Sequence, residues 1–203
     1  GSAYQALQRS AGVLFAGSGA TQRAVGHAVP DPDKVHQKPN VEGRLVDMRI
    51  GIYNIGSIEE HRQLGALAVR VAKHTMPGVE VWHLTDETTP AIEGAIVSRM
   101  ARDCPMAVLR MRHHQAAGDW LFIDTDVLVL KDVSHVFDED FDIAIASRVP
   151  GDGAHGPAWV EMPHNMGVVF SRSPEFWGKV EDELETYEPR LQQWMGDQLA
   201  VCR

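Results

Sequence analysis

The sequence has few cysteines and lacks a long apolar segment. Its two cysteines, Cys104 and Cys202, lie far apart among 203 residues and match neither a disulfide framework nor a zinc-binding spacing. We therefore expect a reducing compartment, and with it a cytoplasmic location. The apolar runs are shorter than the roughly 18 residues of a membrane-spanning helix. A transmembrane segment is therefore not predicted.

Positive charge is also scarce. The chain has 19 Lys and Arg residues against 28 Asp and Glu residues, a formal net charge of −9. This balance argues against binding that is driven by nucleic-acid phosphates. An anionic ligand would need a bound metal ion or a local cluster of Arg and Lys. With 44% hydrophobic and 23% charged residues, the composition is that of a globular protein with a sizeable core.

The first 47 residues have the least regular pattern. We predict an N-terminal extension or linker at 1–47 and one folded domain at 48–203. Residues 14–19, with Arg23 after them, faintly resemble the glycine-rich phosphate loop of sugar nucleotidyltransferases. The arginine comes late and no clean strand precedes the glycines, so a flexible surface segment is the favoured interpretation.

A strand, a helix and a second strand follow residue 48. The apolar strands are residues 49–56, which end in a polar turn with a glycine, and residues 79–84, and helical periodicity lies between them. This order predicts parallel strands joined by a right-handed crossover, and hence an α/β fold. Ligands in such sheets collect at the carboxyl ends of the strands, which places Tyr53, Asn54 and Asp86 around one crevice.

The helix between these strands shows two signals. Ser57 and Glu60 have the spacing of a capping box at its start. Four apolar residues then recur at i, i+3, i+4 and i+7, namely Leu64, Leu67, Ala68 and Val71. We predict that this apolar face packs against the sheet.

Residues 120–130 are the most informative stretch. Four apolar residues run directly into Asp124, Thr125 and Asp126, and four more apolar residues follow. Such a run is typical of a strand buried on both faces. Two carboxylates at its end would be costly if buried without a partner, so we expect them at a cleft or beside a hard divalent cation. The alternative is that one aspartate caps a turn and the other is solvated.

A helix is predicted over residues 106–115, directly before this strand. Arg110, His113 and His114 share one of its faces. The histidines have a spacing that metal ligands use, but they are more often polar residues near a helix end. Arg110 either contacts a diphosphate with its guanidinium or forms a surface ion pair.

The remaining elements are shorter. We predict one helical turn at 133–137, strands at 141–146 and 164–170, and a helix that begins at Ser173 and Pro174. Residues 149–157 are rich in glycine and proline and suit a loop that covers an active site, the alternative being a disordered segment without function. Asp197 is the expected N-cap of a further helix.

Three groups of residues resemble a known family. Asp124-Thr125-Asp126, then Asn165 with Gly167, then Asp197 with Gln198 resemble the ordered motifs of DxD-containing GT-A glycosyltransferases, in particular the family-8-like nucleotide-diphospho-sugar transferases. The resemblance covers roughly residues 48–198. It implies a Rossmann-like GT-A fold with a mostly parallel central sheet flanked by helices. It also implies transfer of a sugar from a nucleotide-diphosphate sugar, a UDP-sugar being favoured, to an unknown acceptor, with Mn²⁺ or Mg²⁺ as cofactor.

The resemblance also implies individual roles. Asp126 would bind the metal directly, and Asp124 would bind the metal or the donor ribose. The donor-binding residues would be Tyr53, Asn54, Asp86, Arg110, Asp124, Asn165 and Gly167, and the catalytic residues would be Asp197 and Gln198. Asp197 would be the general base of an inverting enzyme, whereas in a retaining enzyme Asp197 or Gln198 would lie near the anomeric carbon. In the family, a further metal-binding histidine lies well beyond the Asp-Gln pair. In this chain, His155 or His164 would take its place.

Two other functions are weighed against this one. Residues 122–127 also resemble the nucleophile motif of haloacid-dehalogenase-type phosphotransferases, which needs a later lysine, and Lys131 and Lys179 are poorly placed for that role. The other alternative is a catalytically inactive GT-A module that binds nucleotide or metal.

Overall fold

The computed structural model describes residues 13–16, 48–147, 163–193 and 196–203. The strands are β1 (Val13–Ala16), β2 (Arg49–Tyr53), β3 (Glu80–Asp86), β4 (Ile96–Met100), β5 (Trp120–Ile123), β6 (Ile143–Ser147) and β7 (His164–Ser171). The helices are α1 (Glu59–Thr75), α2 (Met106–His114), α3 (Pro174–Glu185), α4 (Pro189–Gln193) and α5 (Gly196–Ala200), with a 3-10 helix at Ser134–Asp138. Within these ranges, no helix combines the length and the hydropathy of a membrane span.

The strands form one seven-stranded sheet in the order β1-β6-β7-β5-β2-β3-β4. Strands β2, β3, β4 and β5 are parallel, and β7 is antiparallel to both β5 and β6. Strand β6 therefore runs in the direction of β2–β5, while β7 and β1 run the other way. The predicted α/β fold with a mostly parallel central sheet flanked by helices is confirmed.

Each face of the sheet has its own apolar core. On one face, α1 and the 3-10 helix cover Ile50 and Ile52 of β2. On the other face, α2 and α3 cover Phe122 of β5, and Trp177 lies against that ring at a centroid distance of 6.5 Å. Both cores are buried because successive residues of a strand point to opposite sides.

The sheet register sets the level at which the strands end. Ile52 pairs with Ile123 of β5, and Tyr53 pairs with Leu84 of β3. The residues after Tyr53 and after Ile123 consequently leave the sheet at the same edge. This alignment brings the polar ends of β2 and β5 together.

Helix α1 buries only part of the apolar face that its periodicity predicts, since Ala68 is buried but the two leucines are not. Leu64 and Leu67 are 41% and 38% exposed, whereas the buried residues are Gly65, Ala66, Ala68, Val69 and Ala72. The reason is the close approach of the helix to its neighbours, since a Cβ atom on Gly65 would lie 2.6 Å from Cδ1 of Ile92. Small residues permit this approach and leucines do not.

The start of α1 also differs from the prediction. The helix begins at Glu59 after Ile58, and within the described part of the chain no side chain caps it. Glu59 instead accepts hydrogen bonds from the Arg62 guanidinium, the shortest at 2.7 Å. The prediction of a capping box formed by Ser57 and Glu60 is therefore wrong.

Several other boundaries follow or correct the sequence analysis. The Ser173 hydroxyl accepts a hydrogen bond from Phe176 N at 3.2 Å and caps α3 as predicted. Strand β5 ends at Ile123, and a turn follows in which Val127 N donates to Asp124 O at 3.2 Å. The long apolar run is thus a strand of four residues.

Two strands are absent from the sequence analysis. Strand β4 extends the sheet beyond β3, and β1 adds an edge strand beside β6. The expectation that no strand precedes the glycines at 17–19 is wrong, because β1 ends at residue 16. The division into 1–47 and 48–203 stays a prediction, and the loop at 149–157 lies outside the described residues.

Candidate active site

A cleft of about 420 Å³ opens at the carboxyl ends of β2 and β5. It is lined by Tyr53, Asn54 and Ile55 after β2, His61 and Leu64 of α1, Met106, Ala107 and Arg110 of α2, Asp124, Thr125 and Asp126 after β5, and Gln193, Asp197 and Gln198 near the carboxyl end. This volume falls within the range of about 300–1,000 Å³ that is usual for small-molecule sites.

The side chain of Arg110 lies at the centre of the cleft wall. Its Nη2 donates to Asp124 Oδ1 at 2.9 Å and to the Met166 carbonyl at 2.6 Å, and its Nη1 donates to Asp197 Oδ2 at 3.3 Å. The guanidinium carbon lies 5.6 Å from the centroid of the Tyr53 ring. The side chain is only 12% exposed. Arg110 therefore forms a buried ion pair inside the cleft, and not the surface pair that the sequence left open.

The charges of this group shift its pKa values. Burial is the largest influence on the Asp124 carboxyl and raises its pKa, the Arg110 guanidinium acts against it, and the carboxylates of Asp126 and Asp197 raise it further. The net effect is a raised pKa for Asp124. Burial lowers the pKa of Arg110, but Asp124 and Asp197 outweigh burial and raise it, so the guanidinium stays charged.

Tyr53 contributes its ring rather than its hydroxyl to the cleft. The hydroxyl donates to the Met106 carbonyl at 2.5 Å. Burial raises the pKa of this phenol above its usual value, so Tyr53 is neutral. Its ring packs against the Arg110 guanidinium in a cation–π contact.

Asp197 and Gln198 enter the cleft from α5. Asp197 is buried, and its Oδ1 accepts from Gln198 N at 2.8 Å while its Oδ2 faces Arg110. The helix begins one residue earlier, at Gly196, so Asp197 is not the predicted N-cap. Gly196 is required there because a Cβ atom would collide with the Leu191 carbonyl oxygen. The Asp197 carboxylate is consequently held in one orientation.

Asn165 and Gly167 of β7 do not line the cleft, but Gly167 contacts Asp124 and Asn165 contacts Gly167. The Gly167 carbonyl accepts from Asp124 N at 3.1 Å, and Gly167 N donates to Asn165 Oδ1 at 2.9 Å. A Cβ atom on Gly167 would lie 3.0 Å from Asp124 Oδ2. These two residues therefore position Asp124.

Under the metal-dependent function proposed below, Gly167→Ala is expected to displace the Asp124 carboxylate by a few tenths of an ångström and to weaken binding of Mn²⁺ with nucleotide about fivefold. The reason is the close contact between the added methyl group and Asp124 Oδ2. Titration calorimetry measures the affinity, and thermal unfolding checks that the fold is retained. Gly178→Ala is the control, because a Cβ atom there meets its nearest neighbour, Gln115 Oε1, at 3.9 Å. Equal affinities for both variants would contradict the positioning role.

Asp86 is not brought into the cleft. It is fully buried, and its Oδ1 accepts from Thr88 N at 2.9 Å and from Thr89 N at 2.7 Å. Burial raises its pKa, but the hydrogen bonds from Thr89 and Thr88 outweigh burial and lower it. Its Oδ2 lies 3.5 Å from Arg102 Nη1. Asp86 stabilises the turn after β3, and this position does not suit contact with base or ribose.

His113 and His114 are also outside the cleft. His113 Nε2 donates to the Thr85 carbonyl at 3.0 Å, and His114 stacks on Phe122 with a centroid distance of 3.9 Å. Both rings are buried, and burial lowers both pKa values. Both residues belong to the last turn of α2, as the favoured interpretation had it, but they are buried in the core and do not reach the cleft as metal ligands.

The carboxylates of the cleft suit a divalent cation that is also bound by the phosphates of a ligand. Across the described ranges, no group of three or more His, Cys, Asp or Glu side chains is spaced to hold a metal alone. Mg²⁺, however, is commonly bound by one or two carboxylates together with substrate phosphates. Asp124 and Asp126 line the cleft and supply two carboxylates for such a cation. His164 begins β7 and does not line the cleft, and His155 lies outside the described residues.

Several cleft residues were missed by the sequence analysis. His61 and Leu64 lie early in α1, and Gln193 Oε1 accepts from Met106 N at 3.4 Å. A usable signal exists for the first two, because the helix after a parallel strand begins at the carboxyl edge of the sheet. Gln193 carries no comparable signal.

This sheet order, with helices on both faces and an acidic cleft at the carboxyl ends of parallel strands, is a GT-A-like glycosyltransferase fold. Among solved structures, the chain is similar to the galactosyltransferase LgtC in complex with donor and acceptor sugar analogs, with a TM-score of 0.53, 14% identity, and coverage of 76% of this chain and 70% of that chain. It is also similar to the apo form of the glycosyltransferase GlyE from Streptococcus pneumoniae TIGR4, with a TM-score of 0.50 and 16% identity.

The match with GlyE covers 76% of this chain but 42% of that chain, so the present sequence spans less than half of GlyE. No protein-family model and no curated protein matches the sequence. At these identities the likeness establishes the fold. The phosphotransferase alternative gains no support from the site, since no lysine lines the cleft among the described residues.

Proposed function

We propose that this protein is a glycosyltransferase that uses a divalent cation to move a sugar from a nucleotide-diphosphate sugar to an acceptor. One observation carries the proposal. Arg110 and the carboxylates of Asp124, Asp126 and Asp197 converge on one cleft at the carboxyl ends of parallel strands. LgtC and GlyE, two structures with a similar fold, are glycosyltransferases, and LgtC was crystallised with donor and acceptor sugar analogs.

Asp126 and Asp124 are the residues that would hold Mn²⁺ or Mg²⁺. Asp126 is exposed at the cleft and Asp124 is partly covered by Arg110. A bound cation acts as a Lewis acid and neutralises charge on a leaving diphosphate. The Arg110 guanidinium supplies a second positive group that is already oriented by its ion pairs.

Asp197 and Gln198 are proposed to face the sugar. The Asp197 carboxylate is fixed by Arg110 and by Gln198 N, so little orientation is lost when a ligand binds. We assign the donor to the side of Tyr53, Asn54 and Arg110. Asn165 and Gly167 act through Asp124 as positioning residues.

Calorimetry of UDP- and GDP-sugars with and without Mn²⁺ tests this function. We expect binding that needs Mn²⁺ and that falls at least about tenfold in Asp126→Ala. Asp140→Ala is the matched control, because Asp140 is an exposed aspartate outside the cleft. Nucleotide binding that depends on neither Mn²⁺ nor Asp126 would refute the metal-dependent function. Metal-dependent binding without sugar transfer or donor hydrolysis would indicate the inactive module.

A further inference from the structure

We propose that His61 and Leu64 of α1 contact the base of the nucleotide and determine which base is accepted. This inference rests on the proposed function, since it concerns the same cleft and a nucleoside diphosphate ligand. It replaces Asp86, which the structure places outside the cleft.

The lining of the cleft combines two kinds of chemistry. Arg110 comes from α2, on one face of the sheet, and is joined to the carboxylates of Asp124 and Asp197. His61 and Leu64 come from α1, which covers the other face, and add an imidazole and an aliphatic side chain to the lining. A diphosphate needs the guanidinium and the cation, so it belongs at the charged group. The flat, partly apolar base then lies against the lining that α1 contributes.

His61 and Leu64 can contact the same ring. They are three residues apart on α1, and residues at this spacing are neighbours on a helix surface. Leu64 is 41% exposed, and His61 is also exposed. A base that covers Leu64 removes apolar surface from water, while the imidazole offers a hydrogen bond to the base edge.

Two other polar groups of the cleft residues, the Tyr53 hydroxyl and the Asn54 backbone carbonyl, already have partners. The Tyr53 hydroxyl donates to the Met106 carbonyl. The Asn54 carbonyl accepts from Thr85 Oγ1 at 2.7 Å and from His83 Nε2 at 3.2 Å. Asn54 itself is 7% exposed. His61 is the more accessible side chain for recognition of the base.

The test uses Mn²⁺ with UDP, CDP, GDP, ADP or pyrophosphate, and four variants. His61→Ala and Leu64→Ser are each expected to weaken the best-bound nucleoside diphosphate about five- to tenfold and to leave pyrophosphate affinity unchanged. The controls are His74→Ala and Leu67→Ser, which change an exposed histidine and a 38% exposed leucine on the same helix, outside the cleft. Both controls are expected to bind like the unmodified protein. We also expect His61→Ala to reduce the ratio of affinities between the best and the second-best base.

The outcomes separate this inference from the proposed function. If the unmodified protein binds none of the nucleotides with Mn²⁺, the proposed function fails and the inference fails with it. If nucleotides bind but His61→Ala and Leu64→Ser behave like their controls, the base contact alone is overturned. An equal loss of pyrophosphate affinity in both variants would also overturn it, because the effect would then lie at the phosphates.

Discussion

Arg110→Met is expected to lower donor affinity by at least about 100-fold and to destabilise the fold by about 3 kcal/mol. The side chain is 12% exposed and donates to two carboxylates and one carbonyl. Its removal leaves the buried Asp197 carboxylate and the Met166 carbonyl without this donor. Asp124 contributes less to the loss, because its side chain is 42% exposed and water can solvate it.

Arg110→Lys separates charge from geometry at the same position. A lysine keeps the positive charge, but one ammonium group does not reproduce the planar fork that reaches Asp124 and Asp197 together. We therefore expect part of the stability to return and most of the donor affinity to stay lost. Urea unfolding measures the first quantity, and calorimetry with Mn²⁺ and donor measures the second.

Arg62→Met is the matched control for this experiment. Arg62 pairs with Glu59 at 2.7 Å on the exposed surface of α1, where both side chains are about half exposed. Exposed pairs contribute little to stability, so no resolvable change in unfolding is expected. Equal behaviour of Arg62→Met and Arg110→Met would show that the buried network has no special role.

The elements could be predicted from the sequence where their residues are fully buried. Strand β5 follows from four apolar residues that end at two aspartates, although the predicted strand did not stop at Ile123. Strand β4 was missed because it is an edge strand of half-buried residues, with Ser98 and Arg99 in its middle. The packing face predicted for α1 was wrong at its leucines. Small residues let this helix approach its neighbours closely, and hydrophobic periodicity does not reveal such an approach.

The site was predictable to the extent that the sheet topology dictates it. Parallel strands bring their carboxyl ends to one edge, so Tyr53, Asn54 and Asp124 meet as expected. Asp86 departs from this rule because backbone amides two and three residues later capture its carboxylate. The bond from Arg110 to Asp197 joins residues 87 positions apart, and no local pattern indicates such a pair.

Acid is expected to destabilise the protein through its buried histidines. His83, His113 and His114 are each at most 2% exposed, and burial lowers the pKa of each below the ordinary value of 6.5. In the unfolded chain these groups bind protons near pH 6.5, whereas in the folded chain they stay neutral until a lower pH. The unfolded state therefore binds more protons below pH 6.5, and stability falls as pH falls. Each histidine contributes about 1.4 kcal/mol per pH unit until its folded pKa is reached.

Among these three histidines, His114 has the pKa that burial lowers most. Its ring lies 3.9 Å from the Phe122 ring and 4.8 Å from the Trp177 ring, centroid to centroid. Within the described residues neither of its ring nitrogens has a hydrogen-bond partner. Protonation would bury a charge without a partner, which explains why its pKa is lowered well below the usual value.

His114→Phe is expected to reduce the loss of stability between about pH 7 and about pH 5.5 by about 1 kcal/mol. Urea unfolding of both proteins at both pH values gives this difference. Any packing cost of the larger ring is present at both pH values and cancels, as do the contributions of all other titrating groups. His74→Gln, at an exposed position on α1, is the control and should keep the original pH dependence. An unchanged pH dependence in His114→Phe would mean that His114 takes up its proton without loss of the fold, and hence that the core between α2 and β5 opens to water.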